Sequence, residues 1–333
     1  MTGGGSLYQT FDGIDGKQCF RTQDSEVEEY ADHTVDSVSV VLNAVLLGAA
    51  LQLGNSPLLL GVNFFFALSA FFAAHWAGHR TRSLVFGKVD VTEAQWSMIA
   101  IHLATAVGGS SFWETTLLES PLVTFRDLVC WGSVLALLSA SVGNLTVAMG
   151  LRQTPLEANG IRIPRSEFSP WPAVTYVVIM SGFLLSVRSG LLTLVSVPTM
   201  LVVGLTLGKA GARLILQKLS MKDGTTLDHT AISPLVLYAF QRLATQPEML
   251  GTAAWTLVGA LIVDIAIFHT QAFSDLKRAR GINVFQIQET PDGSKIKAKG
   301  FYVAGGNLAA VQKAWAEFES DKTKIEATYP ASR

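Results

Sequence analysis

The chain alternates between long apolar segments without charged side chains and short polar segments that carry the charges. Residues 37–79 contain no Asp, Glu, Lys or Arg, and a Gly54-Asn55-Ser56-Pro57 turn divides this run in two. Each half has about the 20 residues that a helix needs to cross the hydrocarbon core of a bilayer. Further charge-free runs cover 94–113, 128–151, 168–187, 189–208 and 229–241, and a run over 249–273 is interrupted only by Asp264.

These runs predict eight transmembrane helices. Backbone N–H and C=O groups must pair internally within lipid, so helices are the expected elements. A large soluble helical core is the alternative, but such cores seldom contain this many long charge-free runs. The predicted fold class is therefore all-α, a polytopic membrane helix bundle. The predicted spans lie near 37–54, 57–76, 93–110, 128–150, 169–187, 189–210, 229–246 and 249–273.

Lys and Arg residues between the predicted spans are divided unequally between the two sides of the membrane. The side opposite the N-terminal segment carries only Arg126, Arg188 and Arg242. The other side carries Lys17, Arg21, Arg80, Arg82, Lys88, Arg152, Arg162, Arg165, Arg213, Lys218, Lys222 and the basic cluster at 277–280. By the positive-inside rule this second side is cytosolic, and both termini lie there.

The composition narrows the function classes. Charged residues make up 15% of the chain and the net charge is −1, so no basic surface is available for nucleic acid. Two cysteines, Cys19 and Cys130, cannot build a disulfide framework. Residues 289–333 return to the composition of a soluble segment and are predicted to form a cytosolic C-terminal tail. The small residues around Gly204 and Gly208 predict a close approach of two helices.

The candidate chemistry lies in residues 7–37. Asp12 and Asp15 are three residues apart, and Asp32 and Asp36 are four apart, just before the first long apolar span. On helices, both spacings place the two carboxylates on one face. Oxygen ligands suit hard cations such as Mg²⁺ or Mn²⁺, and two such ions can clamp a diphosphate. The alternative is a set of solvated acids beside the membrane.

The pattern of Asp12-x2-Asp15-Gly16 followed by Asp32-x3-Asp36 resembles the signature of the class I CDP-alcohol phosphatidyltransferase family. The similarity is greatest to its choline/ethanolamine phosphotransferase branch. It is carried by YQTFDGIDGKQ (8–18), LQLG (51–54), AHW (74–76), FGKVDVTEAQ (86–95), GGSSFW (108–113), LDHTAISP (227–234) and INVFQI (282–287). We therefore predict that residues 1–288 are the membrane domain of such an enzyme, with the 289–333 tail outside it.

The resemblance implies an activity and a metal site. Members of the branch transfer phosphocholine or phosphoethanolamine from CDP-choline or CDP-ethanolamine to diacylglycerol, releasing CMP. Carried over by position, Asp12, Asp15, Asp32 and Asp36 would hold Mg²⁺ or Mn²⁺, and Asp36 would also be the general base on the diacylglycerol hydroxyl. The resemblance further implies an endoplasmic reticulum or Golgi membrane, an active site facing the cytosol, and a tendency to form homodimers.

Six more residues are candidates for substrate binding near the predicted cytosolic face. Gly16 would lie against the cytidine nucleotide, and His75 and His229 lie at ends of predicted spans. The alternative for each of these two histidines is a packed residue at the membrane interface. The alternative for Glu93, another candidate, is a helix cap. The six candidates are Gly16, Lys17, Arg21, His75, Glu93 and His229.

The chain departs from the family pattern in its motif loop and at its beginning. Cys19-Phe20 replaces the family's Ala-Arg pair, and the neighbouring Arg21 is rotated by about 100° if the segment is helical. Glu28 replaces the family's Gly before the third Asp, in a loop that is one residue shorter. Family members have about ten membrane helices, and the first plus most of the second precede the first Asp. We therefore expect those two helices to be largely missing.

Two rival hypotheses remain beside choline or ethanolamine transfer. The first is a CDP-alcohol phosphotransferase with another polar head group, such as inositol or a second lipid. The second is a non-catalytic membrane relative that keeps the acids but serves as a binding or dimerising partner. Phe20, Glu28 and the early position of Asp12 motivate the second rival.

Overall fold

A computed structural model describes residues 25–82, 91–119, 122–154, 165–220, 227–244 and 246–280. Within these ranges the α-helices are α1 (Ser25–Ala50), α2 (Pro57–Thr81), α3 (Val91–Gly108), α4 (Phe125–Ala148), α5 (Trp171–Arg188), α6 (Leu191–Leu219), α7 (Ser233–Leu243) and α8 (Pro247–Arg280). Short 3-10 helices cover Leu53–Asn55, Ser110–Glu114 and His229–Ile232. One antiparallel hairpin pairs β1 (Thr116–Glu119) with β2 (Leu122–Thr124).

Six helices are long and apolar enough to cross a membrane, namely α1, α2, α4, α5, α6 and α8. They confirm the predicted all-α polytopic membrane bundle. The predicted spans at 93–110 and 229–246 correspond to α3 and α7, which are not among the six. Helix α3 carries Glu93, Gln95 and His102 among its apolar residues. The 11 residues of α7 span only about 16 Å, roughly half the hydrocarbon thickness.

Two helices extend well beyond the apolar runs that predicted them. Helix α1 begins at Ser25 rather than near residue 37, and α6 continues to Leu219. Charged side chains in the two extensions pair with each other, since Lys218 near the end of α6 forms an ion pair with Glu29 near the start of α1. As a result, Asp32 and Asp36 lie inside α1 and not ahead of it.

The predicted turn between α1 and α2 is present. Gln52 adopts a left-handed backbone with φ of 54°, and the 3-10 turn Leu53–Asn55 follows it. Pro57 then occupies the first turn of α2, where its missing N–H leaves no helical hydrogen bond unmade. The four residues predicted to form the turn therefore do separate two membrane helices.

Helix α6 lies at the centre of the bundle. In its most apolar window 83% of the residues are buried, against 17–39% for the other five candidate spans. Gly204 and Gly208 let α1 approach closely. A Cβ atom at Gly204 would lie 2.5 Å from Val41 Cγ1, and one at Gly208 would lie 3.3 Å from the Ser37 carbonyl oxygen. The close approach predicted from these glycines is confirmed, and it fixes α1 against the core.

Two arginines that the sequence placed in a cytosolic segment bind the end of α4. Arg80 is buried, and its Nε donates to the Ala148 carbonyl oxygen at 3.1 Å. Arg165 Nη1 donates to the Val147 carbonyl oxygen at 2.9 Å. The last carbonyls of a helix lack intrahelical partners and carry partial negative charge, so these contacts stabilise the end of α4.

Replacing Gly182 by Ala should destabilise the bundle. Its Cβ would lie 2.7 Å from Pro234 Cβ and 2.8 Å from the Leu235 backbone nitrogen, so α5 and α7 would have to separate. We expect a loss of about 1–3 kcal/mol, seen as a lower melting temperature in detergent. Gly132→Ala is the control, because nothing lies within 4 Å of its Cβ and alanine favours a helix. Equal melting temperatures for the two variants would contradict the contact.

Candidate functional site

Two carboxylates and one histidine converge on the first half of α1. Asp32 and Asp36 are one helical turn apart and therefore share a face. His33 lies between them, with its Nδ1 atom 3.9 Å from Asp32 Oδ2 and 3.9 Å from Asp36 Oδ2. The three side chains are partly enclosed, with exposed fractions of 26% for Asp32, 14% for His33 and 17% for Asp36.

The spacing of these three groups suits a shared ligand better than direct hydrogen bonds. A separation of 3.9 Å is beyond hydrogen-bonding distance. Atoms that coordinate one Mg²⁺ at 2.0–2.1 Å lie about 3–4 Å from one another. One ligand atom from each of Asp32, His33 and Asp36 lies within 4.8 Å of the others, so together they form a candidate cation site.

His75 on α2 contacts this group through His33. The two imidazole rings meet edge to face, with their centroids 5.3 Å apart. His75 is buried, and its Nδ1–H donates to the Phe71 carbonyl oxygen at 2.8 Å. Its Nε2 has no hydrogen-bond partner among the described residues. The structure thus brings one predicted substrate-binding residue next to the predicted metal ligands; its role stays a prediction.

Of the other predicted site residues, two lie within the described ranges and five lie outside them. Glu93 is exposed in the first turn of α3, a helix that packs against α1. His229 begins a 3-10 helix near the end of α6, and its side chain is 79% exposed. The remaining predicted residues lie outside the described ranges and are Asp12, Asp15, Gly16, Lys17 and Arg21.

His229 belongs to a second group of charged residues that links α6, α8 and the segment before α7. At its centre, Lys209 Nζ lies 2.5 Å from Asp264 Oδ2 and 3.3 Å from Asp228 Oδ2. Arg213 Nη1 donates to Asp228 Oδ2 at 2.8 Å. His229 Nε2 approaches Asp264 Oδ1 at 3.4 Å from the outside. We call Lys209, Arg213, Asp228, His229 and Asp264 the ionic cluster.

Hydrogen bonds and charges hold Asp228 ionised. Burial raises the pKa of its carboxyl group, but two hydrogen bonds from Thr230 and the positive charges of Lys209 and Arg213 outweigh that effect. The resulting pKa is about 2, below the usual value of 3.8. Thr230 donates from its backbone nitrogen at 2.8 Å and from its hydroxyl at 2.6 Å, both to Asp228 Oδ1.

The sequence contained a signal for the ionic cluster that was not used. Lys209 and Asp264 are isolated charges within apolar segments, and such residues normally face a partner inside the protein. Opposite charges in two predicted spans favour pairing between those spans. The sequence also places His33 between the two motif aspartates and predicts that it supports the ligands rather than being one; in the structure its Nδ1 atom lies 3.9 Å from each carboxylate.

These features define a class: a polytopic helical membrane protein with paired carboxylates on the first described helix. Proteins with similar sequences include cholinephosphotransferases. Cholinephosphotransferase 1 of Bos taurus is 39% identical over 112 residues, covering 33% of this chain and 28% of that protein. The same enzyme of Danio rerio is 42% identical over 109 residues, covering 32% of this chain and 28% of that protein.

A third relative is an uncharacterized CDP-alcohol phosphatidyltransferase class-I family protein 2 of Dictyostelium discoideum, 35% identical over 108 residues, which are 32% of this chain and 26% of that protein. No protein-family model matches the chain. The similarity confirms the resemblance found from the motifs. The aligned segment spans less than a third of the length of each of these relatives.

Replacing Asp228 by Asn should lower stability in a pH-dependent way. A carboxylate with a native pKa of about 2 and an unfolded pKa of 3.8 contributes about 2 kcal/mol, fully present above about pH 4. That contribution is lost as the pH falls through about 2. Thermal unfolding of wild type and Asp228→Asn should therefore differ at pH 7 and converge at low pH. The control is Asp275→Asn at an exposed position; a gap that is constant with pH would contradict the assignment.

Proposed function

We propose that the chain is a metal-dependent CDP-alcohol phosphotransferase that transfers phosphocholine or phosphoethanolamine from the CDP-linked donor to diacylglycerol. The products are phosphatidylcholine or phosphatidylethanolamine, together with CMP. The observation that carries the proposal is the convergence of Asp32, His33 and Asp36 on one face of α1. The cholinephosphotransferases to which the chain is similar favour phosphocholine as the first group to test.

The donor set on α1 fits a hard divalent cation. Two carboxylates with 26% and 17% exposure supply oxygen ligands that remain reachable from solvent. Asp32 and Asp36 would hold Mg²⁺ or Mn²⁺, together with Asp12 and Asp15 from the predicted motif. When bound, such ions neutralise the charge of the diphosphate and of the phosphoryl group in transfer.

Asp36 is the proposed general base. The hydroxyl oxygen of diacylglycerol forms the new bond to the phosphorus that carries the choline or ethanolamine group, and the bond from that phosphorus to the CMP oxygen breaks. The hydroxyl proton passes to an Asp36 carboxylate oxygen, and CMP leaves with the bonding electron pair. Because a carboxylate is a weak base for an alcohol, positioning of the reactants must supply much of the rate.

His33 and His75 support α1 at this point. Their edge-to-face contact joins α1 to α2 directly beside both carboxylates. His75 in turn is held by the Phe71 carbonyl oxygen. We propose that Gly16, Lys17, Arg21, His75, Glu93 and His229 contact the nucleotide or the head group.

The location and partners follow from the same proposal. Six candidate membrane spans are consistent with a multi-pass integral membrane protein. Diacylglycerol reaches the site from the bilayer, and the water-soluble CDP-alcohol arrives from the cytosol. The proposed membrane is that of the endoplasmic reticulum or the Golgi, with the carboxylates of α1 facing the cytosol, and the proposed assembly is a homodimer.

The direct test is lipid synthesis in membranes that contain the full chain. Diacylglycerol is supplied with labelled CDP-choline or CDP-ethanolamine and with Mg²⁺ or Mn²⁺, and the lipid product is measured. We expect product that disappears on chelation, with the preferred donor identifying the head group. Asp36→Asn should lower the rate by about 10²–10⁴-fold, because it removes the proton acceptor.

Matched variants separate the active-site role from general damage. Asp275→Asn removes an exposed aspartate from α8 and should leave the rate unchanged. Wild-type rates in Asp36→Asn would overturn the assignment of the base. If folded protein gives no product with either donor, the result favours either a transferase for another head group or the non-catalytic relative. Donors with other head groups, such as CDP-inositol, then distinguish the two, because only the transferase would give a lipid product.

A further inference from the structure

Tyr30 lies on the opposite face of α1 from the two carboxylates of the candidate site. At about 100° per residue, Asp32 lies about 200° and Asp36 about 240° around the helix from Tyr30. Both carboxylates are partly exposed, whereas Tyr30 is fully buried. The face that carries Tyr30 is therefore the one by which α1 packs into the bundle. The other buried residues of this face are Val27, Thr34, Ser37 and Val41.

Two residues of α8, one helical turn apart, contact the Tyr30 side chain. The phenol hydroxyl forms a hydrogen bond with His269 Nδ1 at 2.8 Å. The phenol ring meets the Phe273 ring edge to face, with the ring centroids 5.1 Å apart. A buried hydroxyl without a partner is costly, so this hydrogen bond favours one position of the side chain. Tyr30 therefore joins α1 to α8 at a point two residues before Asp32.

The helix that carries His269 is itself held against α6 by the ionic cluster. Asp264, five residues earlier on α8, lies 2.5 Å from Lys209 Nζ of α6. The same Lys209 nitrogen lies 5.5 Å from the centre of the Phe268 ring, and Phe268 is adjacent to His269 in sequence. Turning α8 would break these contacts. His269 is therefore presented to Tyr30 by a helix whose own orientation is fixed.

A second contact holds the same face of α1 just after Asp36. Ser37 lies against Gly208 of α6, where a Cβ atom would come within 3.3 Å of the Ser37 carbonyl oxygen. Ser37 lies about 10 Å along the helix from Tyr30 and only about 20° around it. The Gly208 contact limits how closely the helices approach. The Tyr30 hydrogen bond, which is directional, is the contact that resists rotation of α1.

We propose that Tyr30 is a positioning residue for the candidate cation site. Its hydrogen bond to His269 sets the rotation of α1 about its own axis. That rotation determines the direction in which Asp32 and Asp36 present their carboxylate oxygens to a divalent cation. Such sites tolerate only about 0.5 Å or 10–20° of misplacement, so a small rotation of α1 weakens binding. The inference rests on the proposed metal-dependent function, because it takes these two carboxylates as ligands.

The test measures Mn²⁺ binding by the full-length protein in lipid nanodiscs, without substrate. Free hydrated Mn²⁺ gives a sharp electron paramagnetic resonance signal that broadens on binding, so a titration yields the dissociation constant. Tyr30→Phe keeps the ring and removes the hydroxyl, and we expect it to raise the dissociation constant about two- to tenfold. Asp32→Asn removes a ligand and should abolish the binding; binding that survives this change would refute the inference.

A double-mutant cycle assigns the effect to the hydrogen bond. His269→Leu removes the partner of the Tyr30 hydroxyl and should weaken Mn²⁺ binding as much as Tyr30→Phe does. The double variant should bind no more weakly than either single variant, because all three lack the same hydrogen bond. Additive losses would show that the two side chains act separately and would contradict the proposal.

Tyr176→Phe is the matched control for loss of stability. It removes a hydroxyl that bonds the Ser69 hydroxyl at 2.6 Å and joins α5 to α2. We expect it to lower the melting temperature about as much as Tyr30→Phe does, but to leave Mn²⁺ binding unchanged. An unchanged dissociation constant in Tyr30→Phe, or equal weakening in both tyrosine variants, would rule out a positioning role.

The measurement distinguishes this inference from the proposed transferase activity. Mn²⁺ binding that Tyr30→Phe weakens, in a wild-type protein that gives no lipid product, would support the positioning role and contradict the proposed function. Lipid product from wild type, with the same Mn²⁺ binding in Tyr30→Phe, would do the reverse. Wild-type protein that binds no Mn²⁺ would contradict both, because α1 would then hold no cation to position.

Discussion

The close contact between α1 and α6 is the constraint on which the candidate site depends. The side chain of Val41 packs against Gly204, and the backbone and side chain of Ser37 pack against Gly208. Since α6 is enclosed by the other helices, the helix that carries Asp32 and Asp36 is set against the most buried of the candidate membrane spans. A site for divalent cations benefits from such support, because ligand distances must hold within a few tenths of an ångström.

Contacts with three neighbouring helices hold the segment of α1 that carries the candidate site. Below the carboxylates, the Glu29–Lys218 ion pair ties the start of α1 to the end of α6. Tyr30 is fully buried and its hydroxyl contacts His269 of α8 at 2.8 Å. On the α2 side, His75 packs against His33. Three helices therefore determine the orientation of one short segment of α1.

Local sequence pattern was sufficient for the helices and for the turn at Gly54. Charge-free runs identify apolar helices because a bilayer excludes unpaired charge, and they gave the bundle without knowledge of its contacts. The same rule misplaced the start of α1, because charged residues such as Glu29 remain helical when a neighbouring helix supplies the opposite charge. It also gave no warning that α7 is too short to span, since the 3-10 residues that precede it include no Asp, Glu, Lys or Arg and extend the charge-free run.

The local sequence pattern did not predict contacts between residues on different helices. The spacing of Asp32 and Asp36 predicted a shared face, and the structure has it. The contact of His75 with His33 and the pairing of Lys209 with Asp264 depend on how helices are arranged in three dimensions. No periodicity along the chain encodes that arrangement; only the presence of isolated charges in apolar segments hinted at it.

The ionic cluster also dictates an order of assembly during synthesis. Lys209 enters the membrane region in α6, but Asp264 follows 55 residues later in α8. At about 5–20 residues per second, the ribosome takes roughly 3–11 seconds to supply that carboxylate. Asp228 follows Lys209 by only 19 residues and supplies a first carboxylate to its ammonium group. The ionic cluster is therefore completed only when α8 adds Asp264, although α6, which carries the lysine, becomes the centre of the finished bundle.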